Sequence, residues 1–244
     1  MTKRKTAPKL KPKSKAGRPQ NSASATGSDD AKDLLLSSAI KLFAKKGFDG
    51  TSVKNIANQA GVNISLVSYH FGGKEGLYKT CLERFGRNRL AATQRILQPS
   101  QTREECLLRL DMFIEDMLVW FDEEPDLCAM VQRESDMGFR VARDVFEGTF
   151  LKVFMTLMEF VKAGQTRGFL RSDFDPQLAA SLFFTGLIHM IQKDDITKRT
   201  FGVTLSDLSY RKKFKSQVCA IFFNGLASVK APLKPVPRSQ GAKK

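Results

Sequence analysis

Apolar residues recur every three or four positions through almost the whole middle of this 244-residue chain. In the first such run, Leu35, Leu36, Ala39, Ile40, Leu42 and Phe43 would cover one side of a helix. No segment has a persuasive strand pattern, and no internal repeat is present. The spacing therefore predicts an all-α fold, with a small N-terminal three-helix unit joined to a bundle of longer helices.

Capping signals give the expected helix boundaries. Ser28, followed by two aspartates, fits the N-cap of the first helix, and Gly47 fits its C-terminal end. Thr102 with Glu105 fits a capping box. Asp175-Pro176 fits another helix start. Further helices are expected over about residues 52–59, 64–70, 74–96, 146–164 and 214–229. The stretch 193–209 is expected to be a long polar loop, either without regular structure or with a short helical turn.

The net charge of +15 is concentrated at the two ends of the chain. Residues 1–28 carry +8 and residues 231–244 carry +4, without a single acidic residue in either segment. Both segments are poor in large apolar residues, so burial cannot offset their ordering entropy and we expect disordered basic tails. A basic protein of this kind is expected to bind a polyanion.

The composition argues against metal, redox and enzyme functions. Four widely spaced cysteines without a CxxC pair, and only two histidines, predict free thiols and no metal site. No acid–base pair or nucleophile motif suggests catalysis, and no cofactor is expected. The most apolar stretch, Leu182 to Ile191, is too short to cross a bilayer. We therefore expect a cytoplasmic protein that contacts no membrane.

The segment from residue 48 to residue 78 has the pattern of a helix-turn-helix. Two short helices and a glycine-containing turn occupy about twenty residues, with Val53, Ile56, Ala57 and Ala60 on the inner side of the first helix. The second helix is expected to present these residues outward: Asn63, Ile64, Ser65, Leu66, Ser68, Tyr69 and His70. A short helix of this kind fits the major groove of DNA.

This segment resembles the DNA-binding domain of TetR-family transcriptional regulators. The resemblance covers about residues 31–80 and rests on these matches: Gly47-Phe48, Thr51-Ser52-Val53, Ile56-Ala57, Ala60-Gly61-Val62, Tyr69-His70-Phe71 and Lys74-Glu75-Gly76-Leu77. It implies a homodimer that binds a palindromic operator through residues 29–80. Residues 81–230 would then form a divergent bundle that dimerises and holds an effector.

The resemblance assigns roles to individual positions. Thr51, Ser52 and Lys74 would lie at helix starts that contact phosphates, and the outward residues of the second helix would face the groove. The chain departs from the family at three positions. The family often has Ser at the position of Asn63, Tyr at the position of Ser68 and a polar residue at the position of Ile64. Ile64 and Leu66 would either meet thymine methyl groups or cover the DNA backbone.

The basic N-terminal segment contains a second DNA-binding candidate. Gly17-Arg18-Pro19 resembles the core of AT-hook minor-groove binders, and Arg18 is its candidate contact residue. The alternative interpretation is that the segment only raises solubility and salt-dependent affinity.

The C-terminal bundle is rich in Met and Phe at helical spacing, a pattern typical of a core. Taken together, these side chains would also suit a pocket for an apolar or aromatic ligand. The candidate effector-binding residues are Met117, Trp120, Phe121, Arg133, Glu134, Phe154, Phe184 and His189.

The last two long helices, at about residues 176–192 and 209–229, have broad apolar faces with small residues that permit close helix approach. In the family, the corresponding pair forms the dimer interface. The resulting hypothesis is a bacterial repressor that binds DNA as a homodimer and is released by a small lipophilic effector. The alternative is a nonspecific or architectural nucleic-acid-binding protein driven by its basic tails.

Overall fold

The computed structural model describes residues 25–224, with side chains for residues 29–222. Within that range every regular element is helical, so the predicted all-α class is confirmed. The helices are α1 (Ala25–Lys46), α2 (Val53–Ala60), α3 (Ser65–Phe71), α4 (Lys74–Ile96), α5 (Arg103–Glu123), α6 (Pro125–Asp136), α7 (Arg143–Val145), α8 (Leu151–Thr166), α9 (Pro176–Gln192), α10 (Asp194–Phe201) and α11 (Leu208–Cys219). Two π-helical turns, Phe146–Phe150 and Ala220–Asn224, precede α8 and follow α11.

Several helix boundaries lie where the capping signals predict them. The hydroxyl of Thr102 accepts a hydrogen bond from the backbone N–H of Glu105 at 3.1 Å, and the Glu105 carboxylate accepts one from Gln101 N–H at 2.7 Å. Asp175 caps α9 by accepting from Leu178 N–H at 2.9 Å. These side chains satisfy backbone donors that a helix leaves without internal partners.

Three expectations about the elements are wrong. Helix α1 begins at Ala25, so Ser28 lies inside the helix and is not its N-cap. The stretch 193–209 contains more than the short helical turn that the sequence allows, because α10 has eight residues and Asp194 accepts from Leu205 N–H at 2.9 Å, which ties the two ends of the segment together. The expected helix at 146–164 begins with a π-helical turn over its first five residues.

The N-terminal core packs α1, α2 and α3 against the first half of α4. Its buried side chains include Leu35, Phe43, Ile56, Val67 and Leu77, each at most 1% exposed. The predicted inner face of α2 is buried at Ile56, Ala57 and Ala60, while Val53 is partly buried. Side chains from α6 and α7 complete the same cluster, so the helix-turn-helix unit rests on both of these helices.

A second core joins the end of α4 to α5, α8, α9 and α11, with Leu110, Ile114, Leu157 and Ala180 fully buried. Helix α4 runs without a break from the first core to the second, so the expected domain boundary at residue 80 falls inside it. The two expected tails and the end of the last helix lie largely or wholly outside the described residues.

No helix in residues 25–224 is long and apolar enough to cross a membrane. The same part of the chain contains no group of three or more His, Cys, Asp or Glu side chains placed to hold a metal ion.

Candidate DNA-binding surface and ligand cavity

One face of helix α3 packs on the N-terminal core, and the opposite face is exposed to solvent. Val67 is fully buried in the N-terminal core, whereas Tyr69 is 78% exposed and Ile64, just before the helix, is 49% exposed. Ser65 and Ser68 are exposed beside them. The structure thus brings small polar, aliphatic and aromatic side chains together in one exposed patch that Val67 anchors to the core, as the helix-turn-helix pattern predicts.

Asn63 fixes the start of α3. Its side-chain oxygen accepts hydrogen bonds from the backbone N–H of Ser65 at 2.9 Å and from the Ser65 hydroxyl at 2.8 Å. An asparagine in this position forms a turn that begins the helix. Asn63 therefore caps α3 in place of the serine that is frequent in the family. Gly61, with φ of +68°, supplies the left-handed turn that separates α2 from α3.

Two residues expected to point outward lie partly in the protein. Leu66 packs against the N-terminal core, so its side chain is not a free groove contact. His70 is partly buried, with its ring edge-on to Tyr69 at a centroid distance of 4.9 Å. Its Nε2 atom is buried and has no hydrogen-bond partner. The seven-residue length of α3 explains both, because a short helix must bury a large part of its circumference.

Thr51 does not have the exposed hydroxyl expected of a phosphate contact. The residue is 2% exposed, and its hydroxyl donates to Gly47 O at 2.8 Å and lies 3.2 Å from Leu42 O. Its backbone N–H donates to Phe48 O at 3.2 Å. Thr51 therefore closes the turn between α1 and α2. Ser52, which is exposed, is the N-cap of α2 and accepts from Asn55 N–H at 3.1 Å.

Lys74 opens α4, as the sequence predicts. Its ammonium nitrogen lies 4.3 Å from the centroid of the Phe48 ring, a cation–π contact that orients the side chain beside the first turn of the helix. No side chain caps that turn, which leaves backbone N–H groups available to an anion. Arg18 lies outside the described residues.

A cavity of about 440 Å³ lies among α5, α6, α8 and α9. Its walls are dominated by aromatic rings. Five of the eight candidate effector-binding residues line it: Trp120, Phe121, Phe154, Phe184 and His189. The sequence therefore locates much of this cavity, although it cannot give its depth or its remaining walls.

The other three candidates have different roles. Met117 is 1% exposed in the second core. The Arg133 guanidinium donates to the backbone carbonyl oxygens of Phe43 at 3.3 Å and Ala44 at 3.2 Å, near the end of α1. Favourable contacts between a cation and a helix C-terminus explain this position. Neither side chain lines the cavity.

Glu134 is 2% exposed and also faces away from the cavity. It accepts a hydrogen bond from the Tyr78 hydroxyl at 3.1 Å and from Val141 N–H and Ala142 N–H at 3.3 Å each. Burial, followed by the negative charge of Glu134, raises the pKa of Tyr78 well above its ordinary value of 10.0, so the hydroxyl remains a donor. The prediction that Arg133 and Glu134 face the effector is wrong because these residues lie on the other side of α6. The α6 residues Val131, Gln132 and Ser135 line the cavity instead.

Three further aromatic side chains line the cavity and are not among the candidate effector-binding residues. Phe146 and Phe150 come from the π-helical turn before α8, and Phe139 comes from the segment between α6 and α7. The rings of Phe139 and Phe146 are stacked, with centroids 3.9 Å apart and planes 23° apart. In the sequence, Gly138 next to Phe139 and Gly148 between Phe146 and Phe150 indicate that the backbone of this segment is irregular. π-Helical turns are frequent at functional sites because they alter side-chain direction.

Cys128 also lines the cavity, but its chemistry is that of a packed thiol. Its sulfur donates weakly to Trp120 O at 3.8 Å. Burial raises the pKa of Cys128 to about 12, so the reactive thiolate is scarcely formed near neutral pH.

Comparison with known proteins shows that the N-terminal region matches a family of bacterial regulators. Residues 35–81 match the family described as bacterial regulatory proteins, tetR family. A probable HTH-type transcriptional regulator of Bacillus subtilis, YttP, is 32% identical over 133 residues, which are 52% of this chain and 63% of that protein. The HTH-type transcriptional repressor NicS of Pseudomonas putida is 28% identical over 59% of this chain and 68% of its own. Both are named as regulators, not as enzymes.

The fold extends the similarity into the C-terminal bundle. The crystal structure of the transcriptional regulator FadR from Bacillus subtilis in complex with stearoyl-CoA aligns with a TM-score of 0.65 over 80% of this chain and 99% of that one. Sequence identity in that alignment is 15%, so it demonstrates a shared fold. The N-terminal region therefore matches the tetR family of bacterial regulatory proteins and is similar to named transcriptional regulators, and the similarity of the C-terminal bundle is one of fold.

Proposed function

We propose that this protein is a transcriptional repressor that binds palindromic operator DNA as a homodimer and is released by a small lipophilic effector. The observation that carries the proposal is the anchored, outward-facing surface of α3. It combines a fully buried Val67 with a 78% exposed Tyr69 inside a segment that matches the DNA-binding family. In the bacterial cytoplasm such a protein would act on chromosomal DNA.

The contacts of α3 divide into two kinds. Ser65, Ser68 and Ile64 are short or aliphatic and suit base edges and thymine methyl groups in the major groove. Tyr69, with its long exposed ring, reaches farther and suits a phosphate. Ser52 at the start of α2 and Lys74 at the start of α4 lie beside helix N-termini, where a phosphate is favoured by the N–H groups and the helix dipole.

Homodimer formation is supported by unpartnered apolar surface on the last helices. On α9, Leu178 is 64% exposed, Leu182 is 67% exposed and Met190 is 49% exposed. Ile221, in the π-helical turn that follows α11, is 45% exposed. A second copy that packs through α9 and α11 would remove this surface from water. The part of the expected interface at residues 225–229 lies outside the described residues.

Release by an effector is supported by the position of α6 between the cavity and the DNA-binding unit. One side of α6 lines the cavity through Val131, Gln132 and Ser135. Arg133 and Glu134, on its other side, hold the end of α1 and the Tyr78 hydroxyl on α4. A ligand that prefers one position of α6 would therefore change the distance between the two recognition helices of a dimer.

The proposal is tested by selecting binding sites from random duplex DNA with the purified full-length protein. The expected result is a two-fold symmetric consensus, with half-sites about one helical turn apart. Tyr69→Ala should lower affinity for that site by about tenfold or more, as expected when a principal contact is removed. The matched control is Phe201→Ala, which removes another exposed ring, on α10, away from α3.

The alternative function predicts a different result. A nonspecific or architectural protein would enrich no symmetric sequence, and Tyr69→Ala would bind as well as the unchanged protein. That outcome, together with loss of binding on removal of residues 1–24, would contradict the repressor proposal.

A further inference from the structure

We infer that the cavity selects an uncharged planar aromatic compound that carries a hydrogen-bonding group, and that it discriminates against anions. The inference rests on the proposed function, in which this cavity holds the effector. It concerns the chemical class of that effector, and three independent features of the cavity wall support it.

The first feature is the arrangement of the aromatic rings. Phe139 and Phe146 are stacked at 3.9 Å, whereas Phe154 and Phe184 meet edge to face at 6.1 Å on another wall. Trp120 adds a further ring to the lining, with its centroid 4.7 Å from that of Phe121. Stacked and edge-on pairs both favour a further ring over an alkyl chain, because ring quadrupoles attract in these geometries. A flat aromatic ligand can extend both kinds of contact.

The second feature is a strained backbone at the stacked pair. Phe139 has a φ of +55° and is the only residue other than glycine with positive φ among the described residues. A bulky residue in this conformation is disfavoured and persists only when its surroundings hold it. Here the Phe139 N–H donates to Glu134 O at 2.7 Å, and its ring packs on Phe146. Glycine would meet the backbone requirement without strain, so a phenylalanine here is best explained by its ring.

The third feature is the absence of charge from the wall. Among residues with described side chains, none of those lining the cavity is Lys, Arg, Asp or Glu. The polar groups are those of Gln132, Ser135, Thr185, His189 and Gln192, which supply hydrogen bonds. The Gln192 amide donates to the Gln132 carbonyl oxygen, so both amides are already oriented.

Two arginines close to lining residues have partners outside the cavity wall. Arg89 lies over the Trp120 ring, 5.7 Å from its centroid, and pairs with Asp116 at 3.7 Å, although its Nε atom is buried without a hydrogen-bond partner. Arg133 points to the end of α1. The lining residue Gln132 donates to the Asp136 carboxylate at 2.7 Å, so the charged group that is bonded to this wall is negative. A carboxylate or phosphate placed inside would lose its hydration without gaining a cationic partner, which is strongly unfavourable.

The test compares two naphthalene probes that share the ring system and differ in the charge of their substituent. At pH 7, 2-naphthol is neutral and 2-naphthoate is an anion; stearoyl-CoA serves as a third, long-chain anionic probe. Binding to the full-length protein, without DNA, is measured by isothermal titration calorimetry. Trp120 is the single tryptophan of the chain, so its fluorescence reports whether the cavity is occupied. We expect 2-naphthol to bind at least about tenfold more tightly than either anion.

Two substitutions make the test specific to the cavity. Phe139→Gly removes the ring and relieves the positive φ, so affinity for 2-naphthol should fall by about tenfold while thermal stability is kept. Phe201→Leu, outside the cavity, should leave affinity unchanged. Gln192→Lys adds a cation to the wall and should raise affinity for 2-naphthoate by about tenfold. The preference for 2-naphthol over 2-naphthoate should then become smaller or reverse.

Three results would overturn the inference: equal or tighter binding of 2-naphthoate or stearoyl-CoA, no saturable binding of any probe, or unchanged 2-naphthol affinity in Phe139→Gly. None of these depends on DNA. A symmetric DNA consensus obtained with the same protein would then support the regulator and limit the failure to the ligand class.

Discussion

Glu134 shows how much one side chain holds together in this protein. It is almost fully buried, and its carboxylate accepts three hydrogen bonds. One comes from the Tyr78 hydroxyl on α4, and the other two come from backbone N–H groups just before α7. A buried carboxylate without these donors would be strongly unfavourable. The same residue therefore fixes the position of α6 on the DNA-binding unit and the path of the segment that carries Phe139.

Tyr78→Phe tests this network at its simplest point. The variant keeps the edge-on ring contact with Phe43, at 4.8 Å, and removes only the hydroxyl. We expect the free energy of unfolding to fall by about 1–2 kcal/mol, because Glu134 loses a donor in a buried site. Urea unfolding measures the change, and Tyr69→Phe, which removes an exposed hydroxyl, should shift it by less than about 0.5 kcal/mol. Equal stability of the two variants would contradict the role assigned to the hydrogen bond.

Residue-scale sequence reasoning succeeds where the signal is local. Thr102 and Asp175 act on N–H groups three residues away, so the capping roles predicted for them follow from spacing. Thr51 and Glu134 are different, because their partners are set by how helices pack. No spacing in the sequence distinguishes a threonine that faces a phosphate from one that closes a buried turn.

At the scale of helices, α4 and the π-helical turn before α8 approach unusually closely. A Cβ atom built on Gly86 would lie 2.4 Å from the Thr149 hydroxyl oxygen and 3.1 Å from the Phe150 ring. Thr149 cannot easily move, since it is buried and donates to Val145 O at 2.6 Å. The glycine thus permits the close approach through which α4 touches a wall of the cavity.

Gly86→Ala should therefore destabilise the protein, although alanine is the better helix former. Overpacking costs about 1–3 kcal/mol and exceeds the gain in helix propensity of about 1 kcal/mol, so we expect a net loss of about 1–2 kcal/mol. Gly148→Ala is the matched control, because its Cβ would meet no atom within 4 Å. Denaturant unfolding that ranks Gly86→Ala at or above the unchanged protein would show that the helices can separate without penalty.

Four ion pairs hold α11 on α5. Lys215 lies 2.9 Å from Glu115 and 3.0 Å from Asp111, and Arg211 lies 2.9 Å from Glu115 and 3.1 Å from Asp122. Burial raises the pKa of Glu115, but Lys215 and Arg211 outweigh it and leave that pKa below the ordinary value of 4.5. A lowered carboxyl pKa stabilises the fold above the ordinary value, and this stabilisation disappears as pH falls through the lowered value.

Glu115→Gln should consequently lower the Tm at pH 6 by about 1–3 °C and lower it less at pH 3, because protonation of the carboxyl group as pH falls removes the same charge from the unchanged protein. Glu115 is 41% exposed, so solvent screening keeps the effect small. Calorimetry at the two pH values measures the difference, and Glu159→Gln, on α8, provides a control away from these ion pairs. An equal decrease at both pH values would indicate a packing defect instead of a missing charge.

Most long helices follow from the sequence because their boundaries depend on caps and periodicity, as α4, α5 and α9 illustrate. The sequence predicts at most a short helical turn in the stretch that forms α10, because the stabilising hydrogen bond from Leu205 to Asp194 spans eleven residues. The phase of α6 also could not be predicted. It depends on α1 and α4, which take one side of the helix and leave the other to the cavity.

At the scale of the whole molecule, charge and specificity lie in different parts of the chain. Of the net +15, residues 1–28 and 231–244 together hold +12, which leaves +3 for everything between them. The family match and the exposed surface of α3 belong to that nearly neutral part. Phosphate contacts by basic residues add affinity that falls with salt, whereas contacts to base edges carry sequence preference.

Removal of residues 1–24 and 231–244 separates the two contributions, because it deletes all twelve of these positive charges and leaves α1 to α11 in place. We expect weaker binding at low salt and a shallower dependence of log affinity on log salt, by about 0.9 for each phosphate that the ends no longer neutralise. The selected DNA consensus should remain the same. Fluorescence anisotropy over about 50–200 mM salt measures the slope. An unchanged slope would show that the ends do not bind DNA, and a changed consensus would show that they read sequence.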